Sequence, residues 1–174
     1  MTPKVVLVGL PGAGKSTTGR RLAKILAVRF TDSDDLVEAD AGRSVTEIFA
    51  ADGEPAFRAA EQAAIARALH EFDGVLSVGG GALSSAATRA ALLSSGIAVV
   101  QLRATLDTLG ARVGDARTRP LLAADPHARL AELDAERSAV YAELATFVVD
   151  TDGKTPGQVA ATVAARLHQR EVRA

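Results

Sequence analysis

Four apolar residues, Val5 to Val8, run directly into Gly9-Leu10-Pro11-Gly12-Ala13-Gly14-Lys15-Ser16, and a stretch of helical period follows. Nothing else in the chain constrains its fold so tightly. A strand that ends on this spacing and turns into a helix builds a loop around an anion. Its glycines let successive backbone amides point inward, and the following helix adds the positive end of its dipole. The spacing is that of a phosphate-binding loop, and the flanking strand and helix favour that reading over a turn that merely tolerates glycine. In such a loop Lys15 reaches the β and γ phosphates of a nucleoside triphosphate. Ser16 offers its hydroxyl to Mg²⁺, which takes hard oxygen ligands and keeps several waters.

The remaining sequence repeats the strand-then-helix rhythm. Short β-branched runs at 29–31, 75–78, 98–102 and 146–149 alternate with Ala/Leu/Arg-rich stretches of helical period. This predicts an α/β sandwich with a parallel sheet and helices on its faces. A length of 174 residues suits one domain, and 48% hydrophobic with 24% charged residues is the balance of a folded chain. A formal net charge of −1 provides no field to gather nucleic acid or an anionic membrane. With no cysteine, thiol catalysis, disulfides and thiolate metal sites are excluded. The apolar runs fall far short of the roughly 20 residues that span a bilayer, and the first leads into Gly and Pro rather than a cleavage site. These features make the cytoplasm the expected address, with no nucleic-acid or membrane partner. His70, His127 and His168 are too scattered for a zinc pattern.

Asp32-Ser33-Asp34 closes the second apolar run, at the sheet edge where ligands of open α/β folds bind. One carboxylate there can hold water on Mg²⁺ and the other can accept a hydroxyl proton. Equally, Asp34 can simply cap a helix that begins near Asp35. Arg58 has Glu54 and Glu61 four and three residues away, and Arg137 has Asp134 three residues earlier, so both arginines also read as ordinary intrahelical ion pairs. Gly79, Gly80 and Gly81 follow the third apolar run, where bare backbone lets a ligand approach closely, although a tight turn would also use them. The segment 114–126 carries Arg117, Arg119 and Pro120 among Asp and Gly residues, as a mobile lid that brings positive charge to a transferring phosphate would. A solvated loop tip is its plain alternative. A GTP-driven switch is excluded more firmly, because a chain without asparagine has no Asn-Lys-x-Asp element to read guanine.

Taken together, the octapeptide from Gly9, Asp32-x-Asp34, Phe57-Arg58-x-x-Glu61, the three glycines from Gly79 and Arg119-Pro120-Leu121-Leu122 closely resemble the shikimate kinase family over nearly the whole chain. The resemblance implies a P-loop NTPase-type three-layer sandwich with a five-stranded parallel sheet, a single kinase domain over 1–174, a lid at about 114–126 and an acceptor-binding helical region at about 33–62. It implies ATP-dependent phosphorylation of the 3-hydroxyl of shikimate, in aromatic amino-acid biosynthesis; a monomer is the expected state of the chain. By the same resemblance Lys15, Asp34 and Arg119 are catalytic. Gly12, Ala13, Gly14, Lys15, Ser16, Thr17, Arg112, Arg119, Lys154 and Pro156 bind nucleotide. Asp34, Arg58, Gly80, Gly81 and Arg137 bind the acceptor, while Ser16 and, through water, Asp32 hold Mg²⁺. A gluconate-type sugar-acid kinase or a nucleoside monophosphate kinase is the enzymatic alternative, because two arginines grip a carboxylate or a phosphate alike. Asp34 beside the acceptor disfavours one that already carries phosphate. A nucleotide-binding regulator without turnover would be expected to lack the acid and the arginine pair.

Overall fold

The structure is a computed structural model that describes residues 2–113 and 125–172. Five strands form one sheet: β1 (Val5–Val8), β2 (Arg29–Asp32), β3 (Gly74–Ser77), β4 (Val99–Arg103) and β5 (Phe147–Asp150). Their spatial order is β2-β3-β1-β4-β5 and every pairing is parallel. β1 and β3 are buried along their whole length, as strands covered by helices on both faces must be, which is why they read as unbroken apolar runs. All five strands lie within one residue of the expected positions.

The chain passes from β1 to β2 and β3 on one side, then crosses to β4 and β5 on the other. The order therefore reverses at β1, and the crevice beyond its carboxyl end is where such sheets take ligands. The phosphate loop leaves β1 there, Asp32 ends β2, the glycine run follows β3, and Thr151 follows β5.

The helices are α1 (Lys15–Ile25), α2 (Ser33–Ala41), α3 (Val45–Glu71), α4 (Ala86–Ser94), α5 (Leu106–Val113), α6 (Pro126–Leu144) and α7 (Pro156–Glu171), and Gly80–Ser84 forms a 3₁₀ turn. α3 is two helices in succession, because Gly53 takes φ 79° and ψ 171° inside it and Pro55 follows. Proline is tolerated in the first turn of the second piece, where its missing N–H has no helical partner to lose.

α2 begins earlier than expected. Asp32, not Asp34, is its cap, with backbone φ −113° and ψ 151° and a side chain that accepts from the Asp34 N–H at 3.3 Å. Most of the expected lid, 114–124, lies outside the described residues, and so do Arg117, Arg119 and the Pro120-Leu121-Leu122 run. The last two positions of that segment belong to α6: Asp125 caps it by accepting from His127 N and Ala128 N, each at 3.1 Å, and Pro126 is its first residue.

Among the described residues, apolar side chains fall into two cores. The larger joins the sheet to the helices that cover it, while Val37, Ile48, Phe57 and Ala64 form a separate small cluster under α2 and α3. The region expected to hold the acceptor, 33–62, is built largely around this second cluster, with the Phe49 and Phe57 rings in tilted contact, centroids 4.7 Å apart and planes at 39°.

Candidate active site

Gly12 and Gly14 take φ 83° and 89°, the left-handed backbone that turns the loop from Gly9 back on itself. Ala13 N closes the turn onto Leu10 O at 3.1 Å. Lys15 opens α1, and its ammonium donates to Gly9 O at 2.8 Å and Leu10 O at 3.3 Å. A cavity of about 390 Å³ adjoins this loop, and Gly12 through Thr18, Arg112, Thr151, Lys154, Pro156 and Val159 line it. The nucleotide-binding residues expected from the sequence therefore share one wall-to-wall space, apart from Arg119, which lies outside the described residues. Arg112 fastens the loop to the segment after β5, donating to Thr151 Oγ1 at 2.9 Å, Thr151 O at 3.0 Å and Gly12 O at 3.3 Å. Lys154 donates to Asp150 O at 2.7 Å, and Pro156 opens α7 behind a Thr155–Gln158 capping box. Thr18, Thr151 and Val159 line the cavity without having been expected.

Ser16 donates its hydroxyl to Asp32 Oδ2 at 3.2 Å, so the two residues expected at Mg²⁺ meet. A hydroxyl and a carboxylate side by side at the phosphate loop are the hard oxygen donors that Mg²⁺ takes, and few protein ligands are required because it keeps water and binds phosphate oxygen. The residues fit the ion.

Asp34 stands in the first turn of α2, exposed as a residue and open to an incoming molecule. Its carboxyl end is nonetheless crowded, and its pKa is raised from 3.8 to about 6. Desolvation contributes most, the neighbouring charges of Asp32, Glu61 and Asp35 push the same way, and Arg58 opposes them. A carboxylate poised near neutral pH is suited to accept a proton.

Each of the three glycines faces a different part of this site. A Cβ on Gly79 would stand 3.1 Å from Glu61 Oε1 and 3.5 Å from Ser33 Oγ. One on Gly80 would overlap the Arg137 guanidinium, and one on Gly81 the guanidinium of Arg58. Two arginines from different helices thus lie against adjacent bare Cα atoms. Arg137 does not pair with Asp134 as its spacing allowed; its guanidinium lies by Gly80, as does the buried Tyr141 hydroxyl. Arg58 does pair with Glu54 and Glu61, but the second pair is no solvated surface contact, because Glu61 is only 1% exposed. Glu61 accepts from Arg58 Nη1 at 2.7 Å and from Ser33 Oγ at 3.2 Å. Burial pushes its pKa up, while the Arg58 hydrogen bond and charge and the Ser33 hydroxyl pull it down. Glu61 and Ser33 were not among the expected site residues.

A phosphate loop at the reversal point of a five-stranded parallel sheet, with a metal-suited Ser–Asp pair beside it and an acid and two arginines gathered at the glycine run after β3, defines a P-loop phosphotransferase. The model of the shikimate kinase family matches residues 11–168. The shikimate kinase of Salinispora arenicola is 49% identical over 167 residues, covering 96% of this chain and 99% of that protein. That of Mycobacterium tuberculosis is 47% identical over 168 residues, covering 96% and 94%. Among solved structures, shikimate kinase from Acinetobacter baumannii in complex with shikimate superposes with a TM-score of 0.89 at 30% identity, covering 98% of this chain and 94% of that one. The chain belongs to the shikimate kinase family. A gluconokinase from Sinorhizobium meliloti shares the fold, with a TM-score of 0.64 at 20% identity.

Proposed function

We propose that the chain transfers the γ-phosphoryl group of ATP to the 3-hydroxyl of shikimate, yielding ADP and shikimate 3-phosphate for aromatic amino-acid synthesis. One observation carries the choice of acceptor: Arg58 and Arg137 converge on Gly80 and Gly81 beside Asp34. Two guanidiniums against bare backbone grip a planar carboxylate through parallel hydrogen bonds. The neighbouring Asp34 suits a neutral hydroxyl and repels an acceptor that already bears phosphate.

In this reading Asp34 takes the proton of the 3-hydroxyl as its oxygen bonds to the γ-phosphorus, and the bond from that phosphorus to the β,γ-bridging oxygen breaks to release ADP. Lys15 stabilises charge on the transferring group, and Arg119 adds a second cation from the lid. Gly12, Ala13, Gly14, Ser16 and Thr17 cradle phosphate, and Arg112, Lys154 and Pro156 flank adenine. Ser16 and, through water, Asp32 would hold Mg²⁺. When bound, that ion would neutralise phosphate charge. The protein acts as a single-domain monomer in the cytoplasm, and among the described residues no helix is long and apolar enough to cross a membrane.

The deciding measurement is ATP consumption with shikimate, gluconate or nucleoside monophosphates as acceptor. Turnover with shikimate alone is expected, and a preference for gluconate or a nucleotide would overturn the acceptor assignment.

A further inference from the structure

Ser33 lies between Asp32 and Asp34, yet its side chain turns away from solvent and is fully buried. A serine hydroxyl has one hydrogen to donate and two lone pairs that accept. Here it accepts the Gly79 N–H at 3.1 Å and donates to Glu61 Oε1 at 3.2 Å. The other oxygen of Glu61 takes Arg58 Nη1 at 2.7 Å. One hydroxyl therefore joins the start of α2, the glycine run after β3 and the long helix α3, and the chain of hydrogen bonds that it completes ends on an acceptor arginine.

Arg58 has many rotamers; Glu54, another partner, is an exposed residue whose pull is screened by water, and the Phe57 ring, its centroid 5.2 Å from the guanidinium carbon, offers no hydrogen bond. The plane of the guanidinium is thus held chiefly from the buried side, by Glu61. Glu61 in turn keeps its orientation only while its second oxygen has a donor. We propose that Ser33 is a positioning residue for recognition of the acceptor carboxylate: through Glu61 it fixes the Arg58 guanidinium without itself touching substrate. This inference rests on the shikimate reading. A merely structural serine would only satisfy the buried Gly79 N–H and Glu61 carboxylate, and its loss would lower stability and the active fraction without a selective rise in the KM for shikimate.

The test is steady-state kinetics of the full chain with ATP and shikimate for wild type, Ser33→Ala, Glu61→Gln and the double variant. Ser33→Ala should raise the KM for shikimate by about 10- to 100-fold, the range for losing a hydrogen bond to a charged group. Its kcat and its KM for ATP should stay within about 3-fold of wild type, because only acceptor binding is loosened. The double variant should be no worse than the worse single one, since both break the same chain. If Ser33→Ala does not fold, Ser33→Cys carries the same expectation, because a thiol is a weak donor. An unchanged KM for shikimate, a loss spread evenly over both substrates and kcat, or additive single effects would each overturn the inference. Wild type that fails to phosphorylate shikimate would remove the functional reading and the inference together, whereas active wild type with an indifferent Ser33→Ala would remove the inference alone.

Discussion

Arg58 donates to Glu61 across 2.7 Å, and the acceptor of that bond is 1% exposed while the side chain of the arginine keeps 29% of its surface open. The pair thus has a dry end and a wet end. Glu54 meets the wet end, where its Oε1 accepts from Nε at 3.3 Å and Nη2 at 3.2 Å, an edge for which the proposed ligand carboxylate would compete. The two glutamates should therefore respond in opposite ways to neutralisation. Glu61→Gln should weaken shikimate binding by about 10-fold or more, since it disturbs a buried charge-assisted bond. Glu54→Gln should leave it within about 2-fold or tighten it, as befits a solvent-screened pair. Isothermal titration with shikimate separates them, and equal losses in both would contradict the division.

Substitutions in the glycine run should act on acceptor recognition rather than on folding. A methyl group at Gly80 or Gly81 meets the far end of an arginine, which can move aside, whereas one at Gly9 meets the Leu102 carbonyl, which cannot. Gly80→Ala and Gly81→Ala are expected to fold and bind ATP normally while losing about 10- to 100-fold in kcat/KM for shikimate, as a misplacement of about 1 Å can cause. Gly9→Ala should fail to fold. Thermal melts paired with kinetics check all three, and an active Gly80→Ala and Gly81→Ala would detach both glycines from the acceptor site.

As the proposed base, Asp34 should set an acid limit on activity, and its ionised form should lower stability. Its pKa of about 6 lies above its ordinary 3.8, so the folded protein binds that proton more tightly than the unfolded chain does. The resulting stabilisation is complete below 3.8 and is lost as pH rises through about 6. Asp34→Asn should accordingly melt higher than wild type at pH 7.5, with the difference vanishing near pH 4, while its phosphoryl transfer falls by roughly 10²- to 10⁴-fold. In wild type, kcat/KM for shikimate should decline below a pH near 6. Melting curves of the two proteins that stay parallel across this range would refute the linkage.

Lys15→Ala should fold and lose at least about 10²- to 10³-fold in kcat, the cost of removing one donor to transition-state charge. A folded variant that turns over like wild type would disprove the assignment of the phosphate loop.

The parts that could be read from sequence are those whose chemistry is contiguous. Eight successive residues define the phosphate loop, and unbroken apolar runs located β1 and β3 because strands buried on both faces carry no alternation to misread. Position within a helix was harder. The spacing of Arg58 and Glu61 suggested an ion pair correctly, but spacing is blind to burial, and burial is what makes Glu61 consequential. Asp134 and Arg137 have the same spacing, yet that pair does not form and Arg137 lies at Gly80, a residue of another element. Ser33 meets partners 28 and 46 residues away, so only the folded chain shows its role. Asp32 rather than Asp34 proved to be the helix cap because the strand gives way directly to the helix, with no intervening turn.

The second apolar cluster gives the acceptor wall a cohesion of its own. Val37, Ile48, Phe57 and Ala64 form a cluster distinct from the core that holds the sheet, with Leu36 packed against both, and Gly53 breaks α3 between Ile48 and Phe57. A wall bound by so few side chains can loosen while the phosphate loop and the sheet stay intact, as locally cooperative units do. Its backbone amides should exchange with deuterium well before those of β1 and β3, and shikimate, by bridging Asp34 to Arg137, would slow that exchange. Ligand binding and local folding then become one equilibrium, so mutations in this cluster, though they touch no substrate, would alter acceptor affinity and leave affinity for nucleotide unchanged.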